Sequence, residues 1–134
     1  MALKLSTTVR NSIVDVIETT IGPSGRLIFY TGTAPANTAA TATGSVIATI
    51  ILPSDWLSDS SGGVKTLSGT WSTTATATGT IGYYRIYEST VTTCHEQGSV
   101  TTSGGGGDIT LDNVNAANGQ TITMLTKTYT AGGG

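Results

Sequence analysis

The segment "ATIILPSDWL", residues 48–57, holds the densest run of apolar side chains in the chain and ends it abruptly at Pro53. Apolar residues occupy both alternating sets of positions in 46–52, which is typical of a strand that is covered on both faces. Proline cannot donate a hydrogen bond to a neighbouring strand, so the strand is expected to stop there. The segment therefore predicts a central strand followed by a tight turn, with Trp56 folded back onto the sheet or onto another subunit.

The composition around this strand favours an all-β domain. Thr makes up about a fifth of the 134 residues, and 18 residues are Gly. Thr suits a pleated, half-buried surface, and Gly marks turns. The hydrophobic fraction of 37% is too high for a disordered chain. The length corresponds to one domain, 1–134, which is expected to build a single core.

Charge and cysteine content exclude several classes of protein. Only 10% of residues are charged, against about a quarter in an average domain, and the net charge is −2. Neither nucleic acid nor an anionic membrane surface is therefore an expected partner. Cys94 is the single cysteine, so no disulfide can form within the chain. The first residues resemble no secretory signal, so synthesis in the cytoplasm is expected.

One amphipathic helix is predicted over residues 6–22. Ser6 or Thr7 can cap its start, and Gly22 followed by Pro23 is a strong stop signal. The helix is expected to lie against the sheet through an apolar stripe. That stripe consists of Val9, Ile13, Val16, Ile17 and Ile21, whereas Arg10, Asp15 and Glu18 are expected to face water.

The remainder, 26–130, reads as seven or eight strands separated by turns. The strand-like segments are 26–32, 45–53, 64–71, 79–89, 94–102, 108–113 and 118–130. Residues 33–44 and 72–78 are expected to be surface loops, 103–108 a hairpin link and 131–134 a flexible tail. Strands do not alternate with helices, so the pattern predicts an antiparallel β-sandwich or jelly roll.

The sequence "CHE" at 94–96 is the one cluster of reactive side chains. Adjacent strand residues point to opposite faces, so Cys94 and His95 are not expected to share a proton. Zinc requires three or four ligands, and the chain has no second His or Cys. A catalytic triad would have to use the single His95. No catalytic residue and no metal site is therefore predicted, and Cys94 is interpreted as a small buried side chain.

Two further segments resemble ligand-binding motifs only superficially. The tract Gly104–Gly107 lacks the Gly-Lys-Ser/Thr ending and the following helix of a phosphate-binding loop. The oxygen-bearing residues Asp108, Asp112, Asn113 and Asn115 do not have the spacing of a calcium loop. Residues of these types are also ordinary at turns and strand ends. Neither segment predicts a cofactor.

The aromatic residues are interpreted as packing or interface anchors. In the segment "GYYRIYES", alternation places Tyr83 and Tyr87 on one face and Tyr84 and Ile86 on the other. Buried aromatic side chains dominate cores and interfaces. The candidate anchors are Trp56, Trp71, Tyr83 and Tyr87.

Short motifs in a fixed order give the chain a family resemblance. They are "MALKLSTTVRNSIVDVIETTIG" at the start, "LPSDWL" at 52–57, "SGTW" at 68–71, "GYYRIYES" at 82–89, "CHEQGSV" at 94–100, "GGGGDITLDN" at 104–113 and "GQTITMLTKTYTAGG" at 119–133. Together they resemble small virion proteins of tailed bacteriophages, and most closely the capsid cement, or decoration, proteins of podophages. The resemblance implies a jelly-roll-like sandwich on the outside of an HK97-type shell, with no enzymatic residues.

Three functions are consistent with these observations. The first is a capsid cement protein, located in the virion, whose partners are the major capsid protein and further copies of itself as a dimer or trimer. The second is a structural component of the neck, tail or fibre. The third is a carbohydrate-binding sandwich module that uses Trp56, Trp71 and Tyr83 or Tyr87 as its platform.

Overall fold

The computed structural model describes residues 2–134, which form one short helix and ten strands, with most strands in a curled mixed sheet. Helix α1 spans Thr7–Ile21. The strands are β1 (Arg26–Thr31), β2 (Val46–Ile51), β3 (Val64–Thr66), β4 (Trp71–Thr74), β5 (Gly79–Tyr87), β6 (Cys94–Thr102), β7 (Ile109–Leu111), β8 (Asn115–Ala116), β9 (Thr121–Met124) and β10 (Thr128–Thr130).

The main sheet has the strand order β2-β1-β5-β6-β7, and β8 pairs with the beginning of β5. Neighbouring strands run antiparallel from β2 to β6, but β7 runs parallel to β6. Two small antiparallel sheets, β3 with β10 and β4 with β9, complete the strand pairing. The mostly-β prediction is confirmed, whereas the prediction that every strand pair is antiparallel is wrong for β6 and β7.

The glycine tract after β6 explains the parallel pair. Residues 103–108 were expected to link a hairpin, but they turn the chain back so that Ile109 lies beside Val100. A Cβ atom on Gly105 or Gly107 would come within 2.8 Å of the Thr101 side chain. The Gly107 N–H also donates to the Thr101 hydroxyl at 3.0 Å. The tract therefore folds tightly over Thr101, which larger residues would prevent.

Strand β2 lies at the end of the main sheet, so the prediction of a central strand is wrong. Its residues Ile47, Ala48 and Ile50 are nevertheless fully buried. The Ile47 carbonyl accepts a hydrogen bond from the Thr76 N–H at 2.8 Å, so the segment after β4 covers part of the outer edge. The three buried side chains pack into one apolar cluster, whereas Val46 and Ile51 of the same strand are 43% and 61% exposed, so the prediction that this strand is covered on both faces is wrong.

The two faces of the main sheet bury two separate apolar clusters. The larger one contains both tryptophans, and Tyr84 and Ile86 contribute to it from β5. The smaller one, on the opposite face, contains Tyr83 and Tyr87. The alternation predicted for β5 is therefore confirmed.

Residues 33–44 form a loop that is held over the smaller cluster. The buried Arg85 donates from Nη2 to the carbonyl oxygens of Ala40, at 2.7 Å, and Asn37, at 3.2 Å. The Tyr83 hydroxyl accepts from the Thr43 N–H at 3.0 Å, and Gln97 Nε2 donates to the Pro35 carbonyl at 2.7 Å. The predicted surface loop is therefore a cover fastened by polar side chains of the sheet.

Helix α1 has the predicted limits but a different orientation. The Ser6 hydroxyl accepts from the Val9 N–H at 3.2 Å, and the Gly22 N–H closes the last turn by bonding to the Glu18 carbonyl. Val14 and Ile21 are the buried residues of the helix. The predicted apolar stripe is divided: Ile17 and Ile21 pack on the core as expected, whereas Val9, Ile13 and Val16 are exposed. The three charged side chains, expected to face water, bond to the Gly62 carbonyl or to Lys65, although the Asp15 side chain is still 47% exposed.

Residues 131–134, predicted as a flexible tail, pair with the N-terminal segment. The Leu5 N–H donates to the Gly133 carbonyl at 2.6 Å, and the Ala131 N–H donates to the Gly63 carbonyl at 2.8 Å. Ala131 is buried. Both chain ends therefore meet beside the start of α1.

Candidate functional site

The four candidate anchors are internal packing residues of this chain. Trp56, Trp71 and Tyr83 have no exposed side-chain surface, and Tyr87 is 8% exposed. The two indole rings lie 5.8 Å apart between centroids, and Trp56 Nε1 donates to the Gly22 carbonyl. Trp56 thus points into the domain rather than toward a neighbour. These rings cannot form the exposed platform that the carbohydrate-binding hypothesis requires.

The Cys94-His95-Glu96 segment is split by a β-bulge. Cys94 pairs with Tyr87 and Glu96 pairs with Ile86, so His95 is the extra residue. As a result Cys94 faces the smaller cluster, while the Glu96 carboxylate reaches Tyr84 of the larger one. Burial raises the pKa of the Cys94 thiol. The three side chains diverge and do not form a nucleophile–base pair.

Glu96 instead belongs to a buried polar cluster that the sequence did not indicate. Its carboxylate accepts hydrogen bonds from the hydroxyls of Tyr84 and Tyr129, the latter at 2.6 Å. Lys127 Nζ lies 3.2 Å from Glu96 Oε2 and 4.6 Å from the centroid of the Tyr129 ring. Burial, reinforced by the Glu96 charge, raises the pKa of both tyrosines, which keeps them protonated as donors. We name these four residues the Glu96 cluster.

Lys65 forms a second polar cluster that fastens α1 to β3. It is 5% exposed, and its Nζ lies 3.1 Å from Asp15 Oδ1 and 3.0 Å from Glu18 Oε1. Burial alone would lower the pKa of Lys65, but the hydrogen bonds that it donates to the two carboxylates outweigh burial and raise that pKa. The other Glu18 oxygen accepts from the Leu57 N–H at 2.8 Å. The charged side of the helix is therefore its attachment to the domain.

Three of the four oxygen-bearing residues at 108–115 have a local structural contact. Asp108 accepts from the Ser99 N–H at 3.0 Å, and Asn113 accepts from the Asn115 N–H at 2.9 Å. The Asn115 side chain accepts from the Thr80 hydroxyl at 2.8 Å. Within residues 2–134, no three His, Cys, Asp or Glu side chains converge in a way that could hold a metal ion.

The exposed apolar side of α1 is the candidate functional site. It consists of Val9, Ile13, Val16 and Thr20, which we name the α1 face; the first three are 45%, 45% and 55% exposed. All four residues are uncharged. At its C-terminal end the face opens into a shallow pocket of about 280 Å³, lined by Val16, Ile17, Thr20, Ile21, His95 and Glu96. A solvent-exposed apolar stripe that ends in a pocket is suited to binding another protein surface.

A hydrogen-bonded carboxylate, Glu88, lies beside His95 of this pocket. Glu88 accepts from the Thr90 hydroxyl at 2.8 Å and from the backbone N–H groups of Thr92 and Thr93. These bonds favour the ionised form and lower the pKa of Glu88 from 4.5 to about 2. Glu88 Oε2 also lies 3.3 Å from His95 Nε2.

We expect Glu88→Gln to lower the melting temperature at pH 7 and to matter progressively less in acid. The folded-state pKa is depressed, so the carboxylate contributes stability above pH 4.5, and that contribution is lost as the pH falls toward 2. The measurement is a series of thermal melts between pH 7 and pH 2. The exposed Asp55→Asn serves as the control carboxylate, and each substitution is compared with its parent protein, both with His95 and with His95→Gln. A parent-minus-variant difference for Glu88→Gln that stays constant with pH would contradict this assignment.

Comparison with protein-family models, curated proteins and solved structures finds no match to this chain. Within residues 2–134, no helix has the length and apolarity of a membrane span.

Proposed function

We propose that the protein is a non-enzymatic structural protein of a tailed-phage virion, a cement protein that binds the outer surface of an HK97-type shell. The observation that carries the proposal is the uncharged, exposed α1 face on a domain whose buried ionic side chains are used for internal attachment. Such a surface provides a binding area without supplying a reactive group. The motif order of the sequence supports the same conclusion.

The buried charged groups support a role based on rigidity. Lys65 attaches the helix, Arg85 attaches the 33–44 loop, and Lys127 joins Glu96 between β6 and the C-terminal strands. Each cation is bound by oxygens of the same domain. A cement protein requires a shape that does not change when many copies bind, because weak contacts then add across the particle.

The proposal extends to the architecture. The larger apolar cluster lies on one face of the main sheet and includes Trp71 of β4 and Ile122 of β9. A small sheet stacked over a larger one with aromatic residues between them is the layer arrangement of a β-sandwich. We therefore assign the domain to the sandwich or jelly-roll class, with the parallel β6–β7 pair as a local departure.

The partner in this proposal is the major capsid protein, with further copies of the chain as neighbours. The low charge supports this assignment, because an uncharged surface is tolerated when assembly covers it. Each contact is expected to be weak by itself and to gain strength from repetition over the shell.

The test is the copy number and position of the protein in purified virions. Quantitative mass spectrometry should find a copy number comparable with that of the major capsid protein, and cryo-electron microscopy should place the domain on the outer shell surface. Copies in a small multiple of three or six, located at the neck or tail, would overturn the shell assignment. Absence from the particle would overturn the virion assignment altogether.

A further inference from the structure

We propose that the α1 face binds the same face of a second copy, with the two helices antiparallel about a two-fold axis. This rests on the proposed function and deepens it: the α1 face joins neighbouring copies of the chain, which leaves other surfaces of the domain for the shell. The contact is tested on the isolated protein.

The charge distribution of α1 permits self-pairing. Arg10, Asp15 and Glu18 are the charged residues of the helix, and none belongs to the α1 face. Arg10 donates to the Gly62 carbonyl, and Asp15 and Glu18 accept from Lys65, which balances the Asp15 charge although that side chain is 47% exposed. A symmetric contact places each residue near residues of an identical surface, so like charges on that surface would repel one another. The four residues of the α1 face bring no charge to such a contact. The pocket at its end adds His95 and Glu96, and the Glu96 carboxylate is bonded to Lys127 and Tyr84 of its own domain.

The spacing of the face is palindromic. Its residues follow one another at intervals of four, three and four, which is the spacing of a helix–helix seam. A two-fold axis at the midpoint places Ile13 opposite Val16 of the second copy and Val9 opposite Thr20. Antiparallel pairing therefore matches the face with itself along its whole length.

The shape of the face follows the same symmetry. Val9 lies exposed at one end, and the pocket beside Thr20 lies at the other end. Antiparallel pairing brings Val9 of each copy to the pocket of the other, so both pockets are filled. A parallel arrangement would place the two Val9 side chains together and leave both pockets empty.

The width and length of the face favour a single helix as the occupant. Ser12 and Thr19 border it on one side, so its apolar part is a narrow seam rather than a broad stripe. A helix of 15 residues is about 22 Å long, and one such contact buries less than the roughly 800 Å² per partner of a stable complex. We therefore expect a weak dimer in solution that becomes fully paired when copies are concentrated on a particle.

The experiment is sedimentation equilibrium of the purified protein over a concentration series up to the millimolar range. The wild type should show a reversible monomer–dimer equilibrium. Ile13→Glu and Val16→Lys should each weaken dimerisation at least tenfold, because each places a charge in the seam. An equimolar mixture of the two variants should associate again, because Glu at 13 then faces Lys at 16 of the other copy.

The matched control is Val91→Asp, which removes a valine of similar exposure (43%) outside the α1 face and should leave the equilibrium unchanged. A wild type that stays monomeric throughout would overturn the proposal. A wild-type dimer that Ile13→Glu and Val16→Lys do not weaken, or no association in the mixture, would also overturn it. Circular dichroism verifies that each variant folds. If a charged variant unfolds, cysteine cross-linking replaces it: on oxidation, a mixture of the Ile13→Cys and Val16→Cys proteins should form a disulfide-linked heterodimer faster than the Val91→Cys protein forms a homodimer. Failure here would leave the virion copy number as an independent result.

Discussion

Trp56→Ala is expected to lower the free energy of unfolding by about 3–5 kcal/mol, a large fraction of the roughly 5–15 kcal/mol that stabilises a typical domain. The side chain is fully buried and packs on Trp71 and, edge to face, on Tyr129. Alanine would leave a cavity among these rings and remove the hydrogen bond from Nε1 to the Gly22 carbonyl. Urea unfolding followed by circular dichroism measures the change.

Trp56→Phe separates packing from the loss of the hydrogen bond, and Leu125→Ala is the exposed control. Trp56→Phe keeps an aromatic ring but has no donor for Gly22, so its loss of unfolding free energy should be clearly smaller than that of Trp56→Ala. Leu125→Ala removes an apolar side chain that is 79% exposed and should change stability by no more than about 0.5 kcal/mol. If Trp56→Ala unfolded at the same urea concentration as Leu125→Ala, the inward placement of Trp56 would be wrong.

Glu96→Ala is expected to cost about 3 kcal/mol of unfolding free energy, because removing one member of a buried ion pair leaves the other charge uncompensated. The Lys127 side chain is 9% exposed and has the Glu96 carboxylate as its anionic neighbour. The hydroxyls of Tyr84 and Tyr129 would lose their acceptor at the same time. The measurement is again urea unfolding at neutral pH.

A double-mutant cycle tests whether the Glu96 cluster acts as a unit. Glu96→Gln and Lys127→Met should each destabilise the domain, and the double variant should cost less than the sum, since neither charge is then left alone. Strict additivity would show that Glu96 and Lys127 are energetically independent. Glu96→Ala with wild-type stability would mean that the carboxylate is solvated rather than buried.

Local pattern was sufficient wherever one segment determines its own structure. The N-cap at Ser6 and the stop at Gly22 require neighbouring residues only, and the helix has those limits. The period of two in β5 likewise separated Tyr83 and Tyr87 from Tyr84 and Ile86. The end of β2 before Pro53 follows from the missing N–H of proline.

The candidate site could not be predicted in the same way. The sequence assigns the whole apolar stripe of α1 to the interior, since apolar faces usually pack on a sheet, but only Ile17 and Ile21 pack there. Here Lys65, from a distant strand, binds Asp15 and Glu18 and turns the charged side inward. The outward α1 face therefore depends on two ion pairs of Lys65, one with Glu18, which is 47 positions away, and one with Asp15, which is 50 positions away.

The sequence alone established the mostly-β class, the one helix and the corner after Pro53, because these depend on periodicity and on the backbone chemistry of Pro and Gly. Only the folded chain established the parallel β6–β7 pair, the Glu96 cluster and the outward α1 face. The Glu96 cluster and the outward α1 face depend on residues that are far apart in sequence, and the β6–β7 pair depends on how the glycine tract folds back over Thr101. The pairing of strands in the sheet determines which side chains lie beside a buried charge and whether the glycine tract fits over Thr101. Local periodicity in the sequence does not specify which strands pair.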